Sequence, residues 1–192
     1  MKRSIPPFFI LVTALLGFAP SRAAEPDPAS ITVAVPGGDS LVIRTPAGWK
    51  QDGGKPQPEA PPMIGLTTPG GLQINLTMIA DPDGRFNTPE AVDDLVTMAN
   101  QRYVANSIEK TPKLTRLTAK VGHGSYCTFT DSRLVGVATP AAGEYRNVTS
   151  GVYVTGKQAV IFTILSNDTK SAEFQSALDL VSNGISVAGT SS

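Results

Sequence analysis

The sequence predicts an α+β protein, an αβα sandwich with a mostly antiparallel central sheet and helices on both faces. Three observations carry that prediction. Neighbouring strand signals are joined by short turns, which implies antiparallel pairing. Two segments place apolar residues at helical spacing. Ala159-Val160-Ile161-Phe162 is apolar at every position, as in an interior strand covered on both faces. One sheet with two amphipathic helices to bury gives the layers.

Residues 1–23 read as a secretory signal. Lys2 and Arg3 form a positive end, an apolar run extends from Phe8 to Phe18, Pro20 breaks it, and Ser21-Arg22-Ala23 offers small residues where a signal peptidase reads. Cleavage is expected after Ala23. The run is well short of the roughly 20 residues that span a bilayer, and no later segment approaches that length. The sole cysteine, Cys127, is too far along the chain to take a lipid. The expected product is periplasmic or secreted, with no transmembrane segment and no lipid anchor. Residues 24–30 read as a flexible leader, 31–188 as a single domain large enough for its own core, and 189–192 as a tail.

Val33 and Val35, then Leu41 and Ile43, alternate on either side of the turn Pro36-Gly37-Gly38-Asp39 and predict a hairpin. Gln51 to Met63, with four prolines and two glycines, reads as an irregular surface loop. A second hairpin joins Ile64–Thr67 to Leu72–Met78 through Thr68-Pro69-Gly70-Gly71, and strict alternation in its second strand predicts one buried face and one that is polar or partly covered. The first helix opens at Thr88-Pro89-Glu90. Threonine can cap free amides, proline suits the first turn, and Glu90, Asp93 and Asp94 favour the positive end of the helix dipole, Asp93 and Asp94 as solvated acids. Its stripe is Val92, Leu95, Val96, Ala99 and Tyr103, and it should end between Ala105 and Ser107.

Leu114–Val121, Ser125–Thr130 and Arg133–Ala138 read as further strands, with Gly122-His123-Gly124 as a turn. Glu144–Val154 and Gln158–Leu165 form a hairpin around Thr155-Gly156-Lys157. The last helix begins after Asn167-Asp168-Thr169, presents Phe174, Ala177, Leu178 and Val181 to the core, and stops at Asn183-Gly184, where glycine is expected to turn left-handed.

Sixteen Lys and Arg residues balance sixteen Asp and Glu. Removing Lys2, Arg3 and Arg22 with the signal leaves a slight negative excess, so charge makes no case for nucleic acid or an anionic membrane. One cysteine cannot form an internal disulfide, and packing must hold the fold. Cys127 shares a strand face with Phe129 and reads as a buried, inert thiol. His123, the only histidine, lies four residues of strand from Cys127, about 13 Å away, which disfavours a nucleophile pair. Between two glycines it reads as solvated.

One histidine and one cysteine are too few donors for an ordinary zinc site. Asp81-Pro82-Asp83-Gly84 hints at calcium, but an EF-hand loop opening at Asp81 would need glycine and glutamate where the chain has Phe86 and Val92. The segment reads as a turn. No nucleophile elbow, phosphate loop or dinucleotide fingerprint is present. No catalytic residue, metal ligand or cofactor is predicted, although carboxylates paired only in space stay invisible at this level.

"TPAGWK", the helix opened by "NTPEAVDDLV", then "GHGSYCTFTDSRLVG", and the "QAVIFTILSND" strand before the last helix follow one another in a known order. From about Ile31 to Val187 the chain resembles the PsbP/Mog-type fold group, which includes photosystem II extrinsic PsbP proteins, bacterial DcrB-like proteins and mycobacterial LpqN-type lipoproteins. In that group an early strand is often followed by a proline, a glycine and a tryptophan, here Pro46, Gly48 and Trp49. The chain lacks the lipid-attachment cysteine of many bacterial relatives. The resemblance implies a non-catalytic role in protein binding, assembly or envelope maintenance. The group has no shared catalytic set, so no site residue is carried over.

Three functions follow, in order of preference. The first is an exported, non-catalytic protein with a protein partner in the envelope. The second is a carrier or sensor of a small apolar ligand held between sheet and helix near Trp49. The third is a carboxylate-based hydrolase, which requires two facing acids, one with a raised pKa. For Trp49 itself, a large ring laid over an open end of the sandwich is preferred to a ligand-binding anchor.

Overall fold

A computed structural model of the chain describes residues 29–52 and 60–189. The signal at 1–23, the leader up to residue 28, the centre of the proline-rich loop and the tail beyond residue 189 lie outside the described residues. The strands are β1 (Ala29–Val33), β2 (Leu41–Thr45), β3 (Lys50–Asp52), β4 (Met63–Thr67), β5 (Gln73–Ala80), β6 (Leu114–Arg116), β7 (His123–Thr130), β8 (Asn147–Thr155), β9 (Gln158–Ser166) and β10 (Ile185–Val187). Helix α1 spans Pro89–Val104 and α2 spans Ala172–Asn183.

Among the described residues the architecture is mixed α+β, with antiparallel sheets and two helices. Where a single sheet was expected, there are two. One has three strands in the order β1-β2-β10, and the other has seven in the order β3-β4-β5-β9-β8-β7-β6. The first hairpin stays out of the large sheet because β2 is paired on both edges, by Ile31 of β1 and by Ile185 of β10, each opposite Ile43.

Capping explains both helices. The Thr88 side chain accepts from the Ala91 amide at 3.2 Å, with Pro89 in the first turn. α2 begins a few residues later than expected, because Ser171 supplies the cap and accepts from the Phe174 amide at 3.2 Å. Gly184 is not left-handed (φ −87°). A Cβ there would press on the Leu180 backbone and the Arg44 carbonyl, so close approach requires the glycine. On α1 the buried ridge runs Val92, Val96, Asn100, and Ala99, expected in the stripe, is exposed. Asn100 occupies that place by donating its amide to the carbonyls of Val96 (2.8 Å) and Ser150 (3.3 Å).

Other expectations need correction. Gln51 and Asp52 belong to a short edge strand rather than a loop, and the strand expected over Leu114–Val121 keeps only its first three residues. Arg133–Ala138 is not a strand. Asp131 caps a 3-10 turn over Ser132–Leu134, leaving Val135 and Val137 exposed. His123 opens β7 instead of sitting in a turn. Its flanking glycines are there because β8 comes too close for a side chain, a Cβ on Gly122 colliding with the Val154 carbonyl and one on Gly124 with that of Val152.

Two apolar clusters share the long strands. Tyr153, Val160, Phe162 and Ile164 pack with Phe174, Ala177, Leu180 and Val181 of α2 and with Leu41, Ile43 and Ile185 of the small sheet. Val152, Val154, Ala159, Cys127 and Phe129 pack with Val92 and Val96 of α1. Ile161 is 39 % exposed, so the apolar run of β9 is not covered on both faces as expected.

Candidate functional site

Each residue singled out for chemistry has a structural task. Trp49 is half-buried and packs against the cluster containing Leu41, Ile43 and Phe162, just past Gly48, whose φ is +80°. Cys127 is fully buried beside Phe129, and burial pushes its thiol up. The folded protein is expected to react with a thiol reagent at least about a hundredfold more slowly than the denatured chain. Equal rates in a stopped-flow labelling assay would contradict that burial.

His123, expected to be solvated, is half-buried, and its Nε2 lies 3.0 Å from the Phe86 carbonyl. It shares β7 with Cys127, four residues away, which keeps the two side chains about 13 Å apart. Asp93, expected to be a solvated acid, instead pairs with Arg116 at 2.7 Å, and Glu90 joins at 3.3 Å.

The Asp81 segment is a turn, as expected, built around one buried carboxylate. It accepts from the amides of Phe86 (2.8 Å) and Arg85 (3.0 Å), while His123 holds the loop through Phe86. Burial pushes the carboxyl up, but those two amides and the Arg85 guanidinium together hold it below the ordinary aspartate value. Stability from Asp81 is therefore fully present above the ordinary value of about 3.9 and lost as pH falls through the lowered folded value. Asp81→Asn should be about 2 kcal/mol less stable at pH 7. Chemical denaturation should also show it losing less stability than the parent on acidification. Identical pH slopes would remove Asp81 from this role.

Among the described residues, the part of the large sheet beyond α1 has the open surface. Side chains alternate across a strand, so Ile161, Thr163 and Leu165 share the face of Ala159, which packs with α1. Register carries that face outward in rows: Ile161 opposite Thr77 and Thr77 opposite Met63, then Thr163 opposite Asn75 and Asn75 opposite Gly65. Met63 is 64 % exposed. Arg116 of β6 holds one flank of α1 through Asp93. Helical spacing then puts Leu95, Ala99 and Arg102 on the opposite flank, beside this face. The result is a surface of Ile161, Leu165 and Met63 alternating with threonine and asparagine, walled on one side by α1. In the sequence its signal was the polar set Asn75, Thr77 and Thr163 between core positions.

No described helix is long and apolar enough to cross a membrane. No family model matches the sequence, and no curated protein matches it. The fold is PsbP-like. It is similar to the solution structure of cyanobacterial PsbP (CyanoP) from Synechocystis sp. PCC 6803, with a TM-score of 0.50 and 11 % identity, over 90 % of this chain and 98 % of that one.

Proposed function

We propose that this protein is an exported, non-catalytic domain that binds a protein partner in the cell envelope and assists assembly or maintenance there. Export rests on the signal read at residues 1–23. The two apolar clusters support an αβα sandwich in which α1 covers the β6–β8 half of one face, while α2 and the small sheet cover the other. What carries the binding function is the uncovered remainder. Ile161 stands 39 % exposed in the central strand of a seven-stranded sheet, on one face with half-buried Leu165 and exposed Met63 and with Thr77, Thr163 and Asn75 between them, a mixed apolar and polar sheet face of the kind a protein partner can cover. The PsbP-like fold agrees with a binding role.

A photo-crosslinking side chain at Ile161, expressed in intact cells, should trap one defined adduct, and Ile161→Arg should abolish capture through a neighbouring probe at Thr163 without lowering the melting temperature. Recovery of uncrosslinked monomer alone would count against the proposal.

A further inference from the structure

The two helices hold the large sheet in different ways. α2 buries Phe174, Ala177, Leu180 and Val181, and its one buried polar side chain, Ser182, donates to the Leu178 carbonyl at 2.9 Å. Its ends are tied as well. Glu173 accepts from the Thr68 hydroxyl (2.7 Å) and the Gly70 amide (2.8 Å), and the Gly184 carbonyl accepts from the Arg44 amide (2.9 Å). α1 buries Val92 and Val96, with half-buried Leu95, Tyr103 and Val104 around them, and then Asn100. The Asn100 amide nitrogen is satisfied, but its Oδ1 is buried with no partner among the described residues. Ser125 of β7 is fully buried, and its Oγ has none either. It lies beneath α1, on the strand face of Cys127 two residues away and opposite Arg116 of β6. The third such atom among the described residues, Ser166 Oγ, belongs to the last residue of β9. Closing α1 onto the sheet therefore strips water from two polar atoms and returns no hydrogen bond, and lifting it rehydrates both.

The chain is pinned on either side of α1. Before it, the Asp81 carboxylate and His123 hold Phe86. After it, the Ile108 amide donates to the Thr130 carbonyl (3.1 Å) and the Ser132 amide to that of Asn106 (2.9 Å). Between these pins, among the described residues, α1 reaches the sheet by hydrogen bond only from Asn100 to Ser150 and from exposed Arg116 to Asp93 and Glu90. Exposed pairs of the second kind add little in water. An open cleft of about 160 Å³, lined in part by Tyr103, Tyr145 and Val148, brings solvent to the C-terminal end of the helix.

We propose that α1 is a cover that lifts off the sheet between these pins while the rest of the protein stays folded. Register places what it bares in the rows of the uncovered face: Val152 opposite Ile161, Ser150 opposite Thr163, and Val148 opposite Leu165. Lifting α1 thus extends that face across β8 and β7, and a partner that binds the extended face draws the helix open. This last step rests on the protein-binding function above; the lifting is a property of the chain alone.

Cys127, buried in the cluster under α1, reports the lifting. The test combines thiol labelling of Cys127 with amide hydrogen exchange in the purified protein, both followed through urea concentrations below the unfolding transition. The α1 amides and the Cys127 thiol should give one shared opening, with a urea dependence well below that of global unfolding. The amides of α2 and β9 should open only with the whole protein. Asn100→Leu, similar in volume and without the orphan oxygen, should slow Cys127 labelling about tenfold. Arg116→Gln should speed it about threefold. If Asn100→Leu fails to fold, the unsubstituted chain decides. Amides of α1 as protected and as urea-dependent as those of β9 would overturn the proposal. So would labelling of Cys127 while α1 stays protected, which is side-chain fluctuation alone. Capture through Ile161 is measured separately: an adduct with no early opening of α1 would sink the cover and leave the protein-binding function standing, and early opening with no adduct would do the reverse.

Discussion

Phe162→Ala is expected to destabilise the protein by about 3–5 kcal/mol, the range for deleting a fully buried aromatic ring, and to lower the melting temperature by roughly 10 °C. Phe162 has no exposed surface, lies on the central strand β9, and packs in the cluster that joins the large sheet to α2 and the small sheet. No disulfide is available to offset the loss, because the only cysteine is unpaired. Calorimetry of the variant checks this directly. A loss below about 1 kcal/mol, the range of an ordinary surface change, would mean that the cluster does not hold the layers together.

Gly151→Val should be nearly as damaging, about 3 kcal/mol, through overpacking. Gly151 sits on β8 opposite both Tyr126 and Phe162. A Cβ there would stand 2.6 Å from atoms of each and closer still to the Ser125 carbonyl. The two rings meet above the glycine with centroids 6.4 Å apart at 59°. Removing the Phe162 ring relieves one of those contacts and leaves those with Ser125 and Tyr126, so Gly151→Val with Phe162→Ala should cost about 1 kcal/mol less than the two changes added. Simple additivity in urea denaturation would show that the ring is not what the new side chain meets.

Both helices and the long hairpins were legible in the sequence because capping and alternation are local. Thr88-Pro89 and the repeat Leu72, Ile74, Leu76, Met78 need no distant partner to be read. β3 and β10 were not, since three residues are too few for a period to show, and β10 exists only because β2 offers it an edge; β6 was read as the start of a longer strand. The apolar residues of 133–138 suggested a strand, but Asp131 captures the Arg133 amide and turns the chain. Gly-His-Gly was read as a turn because glycine signals both turns and close approach, and only the neighbouring strand decides between them.

The apolar run at 159–162 hid the open face, because a strand half-covered by a helix carries the same residues as one fully covered. Trp49 packs on the first cluster, the place a large ring just past a strand and a turn can reach. The cavity at the C-terminal end of α1 had no local signal, since its lining residues Tyr103, Phe129, Tyr145 and Val148 come from α1, β7, the segment before β8, and β8 itself.

The most direct measurement is hydroxyl-radical footprinting of the protein in the intact envelope against the purified protein. Met98, which helical spacing puts on the solvent side of α1, serves as the internal control. Met63, Ile161 and Leu165 should be protected in the envelope while Met98 and the exposed residues of α2 stay reactive. Unchanged oxidation of Met63 and Ile161, with protection found instead along α2, would contradict the assignment of the uncovered sheet face as the surface through which this protein works.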